Sequence, residues 1–301
     1  MARVVCVHGV GKQYLGEELL LREWLPALHD GLTRAGRSAP LSDADVGMAF
    51  YGDLFRPPGH TMDVADPPFT AQDVEEGLEE EILLAWWAEA AAVDERVPPP
   101  GANTMARVPS RVQAALLALA SSSFFSGLAL RSLLYDLKQV SRYLLEPGTP
   151  DRESLREQVQ SRLRALIGPD TRVVIAHSLG SIAAYETLCS LARSAGGHHV
   201  RAFVTLGSPL GIPRLILDHL QPVRDTGKVQ WPGSAAGFQW TNVVDQGDVV
   251  ALRKNLHTVF GQPLGQVVHG RVVHNGSHAH DATAYLCDAM TGTAIAGGLD
   301  G

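Results

Sequence analysis

A serine at a tight strand-to-helix turn is the feature of this 301-residue chain that most clearly indicates chemistry. An apolar run at residues 172–176 leads into Ser178, and a helix of small side chains is predicted to begin near Gly180. Small residues two positions before and after such a serine lift its hydroxyl out of the sheet, where a base can reach it. Ala176 stands where glycine is usual, which adds one methyl group. Alone, the turn also fits a serine that serves as a helix N-cap.

Candidates for the partners of a nucleophilic serine follow it in the chain. Acyl transfer by serine needs a general base, a carboxylate that orients the base, and donors for the oxyanion. Two carboxylates, Asp245 and Asp248, come directly after a predicted strand at residues 238–244. A histidine cluster follows the next predicted strand and contains His274, His278 and His280. The order serine, acid, histidine belongs to one particular fold, because unrelated serine hydrolases order these roles differently.

Strand and helix signals alternate along most of the chain. Apolar runs predict strands at residues 3–7, 46–50, 172–177, 200–206, 238–244 and 266–273. Helical spacing predicts helices at residues 17–35, 71–93, 152–167, 213–220 and 281–290, with a long interrupted helical region up to residue 145. This alternation predicts a mostly parallel sheet with helices on both faces. Because the helical region before the serine strand lacks strand signals, we expect a helical cap at residues 71–147, inserted into a single domain of residues 1–301.

Four short segments carry a resemblance to a known superfamily. They are His-Gly-Val-Gly at residues 8–11, Ala-His-Ser-Leu-Gly at 176–180, Leu-Gly-Ser-Pro-Leu-Gly at 206–211 and Gly-Asp-Val-Val at 247–250. In these segments the chain resembles the α/β-hydrolase superfamily, and within it the lipase-like and esterase-like serine hydrolases. The resemblance covers the chain except for the helical insertion. It implies an α/β-hydrolase fold with a mostly parallel central sheet, helices on both faces and a helical cap.

The resemblance also implies roles for individual residues. It makes Ser178 the nucleophile, His280 the general base and Asp248 the carboxylate that orients the base. The backbone amides of Val10 and Leu179 would form the oxyanion hole. A serine hydrolase of this kind uses no cofactor and no metal ion.

Neighbouring residues remain alternatives for these roles. Asp245 lies directly at the predicted strand end and could replace the preferred acid. His278 is close enough in sequence to replace the preferred base. We expect His177, beside the serine, to point away from the site and make a structural hydrogen bond, and His8 to brace the oxyanion loop.

Composition and incomplete motifs exclude several classes of protein. The net charge of −7 is spread over the chain without a basic stripe, which argues against nucleic acid as a partner. A phosphate-binding loop at Gly11 and Lys12 fails, because Cys6 and Gln13 stand where that motif requires glycine and serine or threonine. The histidines at residues 274–280 lack the carboxylate or thiolate spacing of a closed metal site.

Hydropathy and the first residues predict a cytoplasmic protein without an integral membrane segment. The chain starts with an apolar run and lacks the basic segment and cleavage site of a signal peptide. The longest uncharged stretch, residues 114–130, is interrupted by serines and a glycine and falls short of a membrane span. The three cysteines, an odd number without metal-ligand spacing, are expected to be reduced.

Together these features predict an intracellular serine hydrolase that cleaves a carboxylic ester through an acyl-enzyme. The expected substrate is a small molecule or acyl compound, because the cap residues Phe124, Phe125, Leu128 and Leu130 would shape an apolar pocket. The same apolar pattern also fits residues that only pack in the core. The same triad could cleave a thioester or a peptide, and a non-catalytic α/β-hydrolase-like interaction module is the alternative outside enzymes. The sequence identifies no protein partner.

Overall fold

Six parallel strands form the central sheet of the protein. The computed structural model describes residues 1–56, 69–101, 108–122, 130–221 and 229–300. The strands are β1 (Val4–Val7), β2 (Val46–Ala49), β3 (Val173–His177), β4 (Ala202–Leu206), β5 (Gln239–Asp245) and β6 (Val268–Val273). Their order is β2-β1-β3-β4-β5-β6, and every neighbouring pair is parallel. The fold is therefore α/β, as the alternation of strand and helix signals predicts.

Helices cover both faces of this sheet, and side chains of one strand alternate between them. On one face, Val4 and Cys6 share an apolar core with α1 (Glu17–Arg34) and α8 (Ala289–Asp300). On the other face, Val5 and Val7 share a core with α5 (Leu155–Leu166) and α6 (Leu179–Arg193). Because both faces are buried, β1 is apolar at every position.

Three helices between β2 and β3 make up the described part of the predicted cap. They are α2 (Leu78–Val93), α3 (Val108–Ala120) and α4 (Leu130–Leu145). Their buried side chains, among them Leu83 and Leu137, belong to the same apolar core as Val5 and Val7 of the sheet. The cap helices and the sheet therefore share one core.

A buried ion pair anchors the end of α4 to the rest of the fold. Arg156 Nη1 lies 3.3 Å from Glu186 Oε1, and the Tyr143 hydroxyl donates to Glu186 Oε2 at 2.7 Å. The Arg156 guanidinium also donates to the carbonyls of Tyr143 and Leu144 in the last turn of α4. The last carbonyls of a helix accept no hydrogen bond within the helix, and here the Arg156 guanidinium donates to them instead. These contacts fix the C-terminal end of α4 against α5 and α6.

The helices depart from prediction at three places. The helix predicted at residues 71–93 starts with a 3₁₀ turn, Ala71–Asp73, and α2 begins only after Gly77, whose φ of 93° interrupts the helix. The helix predicted at residues 213–220 is reduced to a 3₁₀ turn, Leu217–His219, and Arg214 before it has a non-helical φ of 62°.

The last predicted helix, residues 281–290, is two helices, and most of the second lies beyond the predicted range. The first is α7 (Ala282–Leu286), and α8 follows it. Three glycines weaken the intrinsic helix propensity of α8, so its packing against α1 and the sheet stabilises it instead. None of the described helices combines the length and the apolar character that crossing a bilayer requires.

Candidate active site

Ser178 occupies a sharp turn between β3 and α6. Its φ of 53° and ψ of −128° lie outside the regions that L residues favour, and among the described non-glycine residues only Arg214 shares a positive φ. The Ser178 amide donates to the Leu206 carbonyl of β4, which holds the turn against the sheet. Gly180 faces the chain that follows β1, where a Cβ atom would lie 2.3 Å from the His8 carbonyl oxygen. No side chain fits there, which explains the glycine two residues after the serine.

Two hydrogen bonds link Ser178 to residues from the far end of the sequence. Ser178 Oγ lies 3.0 Å from His280 Nε2, and His280 Nδ1 lies 2.8 Å from Asp248 Oδ2. Because a carboxylate only accepts, Nδ1 carries the imidazole proton, and Nε2 accepts from the serine hydroxyl. The structure therefore brings together the serine, histidine and carboxylate that the sequence favours for a triad.

The Asp248 carboxylate is fully buried and accepts four hydrogen bonds. Its Oδ2 accepts from His280 and, at 2.8 Å, from the Tyr285 hydroxyl, while its Oδ1 accepts from the amides of Val250 and Ala251. Burial raises the pKa of Asp248, but the charge of His280 and these hydrogen bonds outweigh burial and lower the pKa below its ordinary value. The stabilisation that the ionised group provides is thus present at neutral pH and is lost as the pH falls through this lowered pKa.

Two further histidines near the serine make structural hydrogen bonds. His177 Nε2 donates to the His280 carbonyl oxygen at 2.9 Å, and burial lowers the pKa of His177 to about 3. His8 Nδ1 donates to the Gly9 carbonyl oxygen at 2.7 Å, while its Nε2 accepts from the Tyr51 amide at 3.1 Å. Burial lowers the pKa of His8 to about 4. Both imidazoles are therefore neutral at pH 7, and they hold the His280 backbone and the loop after β1.

Asp245 and His278, the alternatives for the acid and the base, have other surroundings. Asp245 Oδ1 accepts from the Gly247 amide at 2.7 Å, and its Oδ2 accepts from the Asn275 amide at 2.5 Å. It thus joins the loop that carries Asp248 to the loop that carries the histidines. His278 is exposed, and among the described residues the imidazole that bonds Ser178 is that of His280.

The loop after β1 runs directly against the serine. A Cβ atom on Gly9 would lie 2.7 Å from Ser178 Cβ, so the loop approaches the turn as closely as its backbone allows. The next residue, Val10, lines the same cavity as Leu179 and Ser178. Within the described part of the chain, neither the Val10 amide nor the Leu179 amide donates to a protein acceptor. The two amides predicted to form an oxyanion hole are therefore available to a ligand.

Gln139 of α4 holds the same loop from the cap side. Its Oε1 accepts from the Gly11 amide at 3.1 Å, and its Nε2 donates to Gln13 Oε1 at 3.0 Å. The side chain is buried, and α4 is itself anchored at its C-terminal end. The loop that carries Val10 is therefore fixed between the cap and the sheet. No sequence pattern marks Gln139, because its partners lie 126 and 128 residues away.

Ser178 and His280 line a cavity of about 1090 Å³. Ser178 is only 4% exposed, so its contact with solvent is through this cavity. The cap side of the wall is apolar and includes Ile82, Trp86, Leu133 and Val140. The other side is formed by α1 and the histidine loop and is more polar, with Glu23, Asp30, His278 and Asp281. The cavity thus crosses the carboxyl edge of the sheet, where parallel α/β sheets bind their ligands.

The four side chains that the sequence predicts for an acyl pocket lie outside the part of the structure that is described. Phe124, Phe125 and Leu128 lie outside the described residues, as does the side chain of Leu130. The apolar wall that the structure does describe comes from α2, α4 and the segment after β4 instead.

Comparison with known proteins gives no assignment for this arrangement. No family model, no curated protein and no solved structure matches the chain. Within the described ranges, no group of three or more histidine, cysteine, aspartate or glutamate side chains could hold a metal ion. The geometry around Ser178 is therefore the basis for a functional proposal.

Proposed function

We propose that the protein is a serine hydrolase that cleaves carboxylic esters through an acyl-enzyme. The observation that carries this proposal is the hydrogen-bonded series of Ser178, His280 and Asp248 at a turn with positive φ. Unfavourable backbone angles in a non-glycine residue persist only where the surroundings enforce them, and they cluster at functional sites. Here they present the serine hydroxyl to a cavity and to an imidazole that lies 102 residues away in sequence.

Each member of the series has a proposed role. As Ser178 Oγ forms a bond to the ester carbonyl carbon, His280 Nε2 takes the hydroxyl proton. The Asp248 carboxylate stabilises the resulting imidazolium and stays ionised. When the bond to the alcohol oxygen breaks, the leaving alcohol takes the proton from Nε2. Water then attacks the acyl-enzyme by the same proton transfers, which releases the acid and restores the serine.

The oxyanion of the tetrahedral intermediate needs donors that are in place before the reaction. The amides of Val10 and Leu179 are the proposed donors, because both line the cavity and neither is used within the described structure. Their positions depend on the close approach of the loop after β1 to the serine turn.

The position of the site in the sheet supports an α/β-hydrolase fold as part of the same proposal. The nucleophile follows β3, the carboxylate follows β5 and the histidine follows β6, all at the carboxyl ends of parallel strands. Serine, acid and histidine in this chain order are typical of that fold. The apolar wall from α2 and α4 favours an acyl or other apolar group in the substrate.

A fluorophosphonate probe is expected to label the wild-type protein once, on Ser178, because the probe reacts with a serine that a base activates. Ser178→Ala is expected to abolish labelling. Ser277→Ala, the same change at an exposed serine of the cavity wall, is the control and is expected to label like the wild type. Intact-protein mass spectrometry measures the adduct.

Two outcomes would contradict this assignment. A folded wild-type protein that takes no label favours the non-catalytic interaction module. Labelling that survives Ser178→Ala places the nucleophile elsewhere. A panel of p-nitrophenyl esters of increasing chain length, tested beside acyl-thioesters and peptides, then measures whether esters are the preferred substrates.

Gln139→Leu is expected to lower kcat about tenfold with a smaller change in KM, because losing two hydrogen bonds loosens the loop that carries Val10. Steady-state kinetics on a p-nitrophenyl ester measure the effect. Gln72→Leu, the same change at an exposed cap position, is the control. If the Gln139 variant keeps wild-type kcat at an unchanged melting temperature, the loop does not depend on this contact.

A further inference from the structure

Asp136 places a carboxyl group in the wall of the cavity, beside the proposed oxyanion loop. It lies on the same face of α4 as Leu133 and Val140, which also line the cavity. A Cβ atom on Gly11 would lie 3.1 Å from Asp136 Oδ1, so the carboxyl group is in contact with the loop one residue beyond Val10. The mechanism above gives this group no role.

The Asp136 carboxyl group has no polar partner in the described part of the structure. Among the described residues, Asp136 makes no ion pair and no hydrogen bond, and the cavity-lining side chains one turn before and after it in α4, Leu133 and Val140, are apolar. The charges that act on it from other elements are those of His280 and Lys12, which also line the cavity. Burial raises the pKa of Asp136 to about 7, against the lowering effect of these two charges.

An unpaired carboxyl group in an apolar wall is unfavourable for a purely hydrocarbon substrate. Such a substrate would remove water from the group and give no hydrogen bond in return, which costs affinity. A substrate with a donor at this point would instead replace the lost water. Since α4 is anchored by Arg156 and Gln139, the backbone of Asp136 keeps its position in the cavity wall.

We infer that Asp136 is a specificity-determining residue that accepts a hydrogen bond from a hydroxyl or ammonium group on the substrate. The inference rests on the ester hydrolysis proposed above and narrows its substrate class. The preferred esters then carry an apolar chain with a hydroxyl or ammonium group. The distance of that group from the ester carbonyl matches the distance between Ser178 and Asp136.

The test uses matched p-nitrophenyl esters with acyl chains of four, six and eight carbons that end in a methyl, hydroxyl or ammonium group. For each chain length, the quantity measured is the ratio of kcat/KM for the donor-bearing ester to kcat/KM for the methyl ester. At one chain length, and at a pH well above the pKa of Asp136, we expect a wild-type ratio of about 10 to 100, the range that a hydrogen bond to a charged group produces. Asp136→Leu is expected to bring this ratio to about one or below.

Asp136→Asn distinguishes the two kinds of donor. Its amide oxygen still accepts from a hydroxyl but no longer attracts a cation, so a hydroxyl preference is expected to survive and an ammonium preference to disappear. Glu76→Gln, a carboxylate-to-amide change at an exposed cap position, is the control and is expected to keep the wild-type ratios.

The outcomes separate this inference from the proposed function. A protein that takes the fluorophosphonate label and hydrolyses the methyl esters, yet shows ratios near one at every chain length, overturns the inference alone. The same holds if the wild-type preference persists in Asp136→Leu. A folded protein that neither labels nor hydrolyses any of the esters overturns both.

Discussion

Replacing His280 with alanine is expected to lower kcat for ester hydrolysis about 10⁴- to 10⁶-fold, the cost of removing the base of a serine triad. The reason is geometric, because His280 Nε2 lies 3.0 Å from Ser178 Oγ and is the only described imidazole bonded to it. Without it, the hydroxyl proton has no acceptor as the oxygen attacks. Single-turnover kinetics with a p-nitrophenyl ester measure the loss, together with a melting curve that shows the variant is folded.

His278→Ala is the matched control, since it removes an imidazole two residues away in the same loop. His278 is exposed and lines the cavity, so we expect a change in kcat of several-fold at most. If the His278 variant were the inactive one and the His280 variant active, the assignment of the base would be wrong.

Asp248→Asn is expected to lower kcat about 10³- to 10⁴-fold while KM changes little. The amide of asparagine can present a donor where His280 Nδ1–H needs an acceptor, so the imidazole loses the tautomer that leaves Nε2 free for the serine proton. The imidazolium formed during the reaction also loses its counter-charge. The pH dependence of kcat, measured beside kcat itself, reports both effects.

Asp245→Asn makes the same chemical change three residues earlier. This carboxylate bonds the amides of Gly247 and Asn275, so its replacement is expected to lower the melting temperature while costing kcat far less than Asp248→Asn. An Asp245 variant that is as inactive as the Asp248 variant, at a similar melting temperature, would contradict the assignment of the acid.

The fold could largely be predicted from sequence because parallel strands are buried on both faces. Strand β1 is therefore apolar at every position, β3 is apolar up to Ala176, and both are bounded by polar or glycine-rich segments. The same reasoning does not predict the helix α8. Its small residues and glycines give a weak local signal, and its stability comes from close packing against α1.

The candidate site was predictable where it depends on residues close together in the sequence, and not where it depends on contacts between distant residues. The turn at Ser178 has a local sequence signature, because the small flanking residues are needed within the turn itself. The sequence could not decide between His280 and His278 as the base, since no periodicity fixes which side chain of an irregular loop turns inward. Tyr285 and Gln139 depend on partners distant in sequence, which no local pattern records.

The backbone angles of Ser178 have a consequence for how this protein could change over generations. A non-glycine residue in that region costs on the order of 1–3 kcal/mol, a sizeable part of the net stability of a typical domain. Selection for heat resistance alone would favour sequences that relax the turn, and such sequences would withdraw the hydroxyl from the cavity. The turn is therefore expected to persist only in lineages where the function of the serine outweighs this loss of stability.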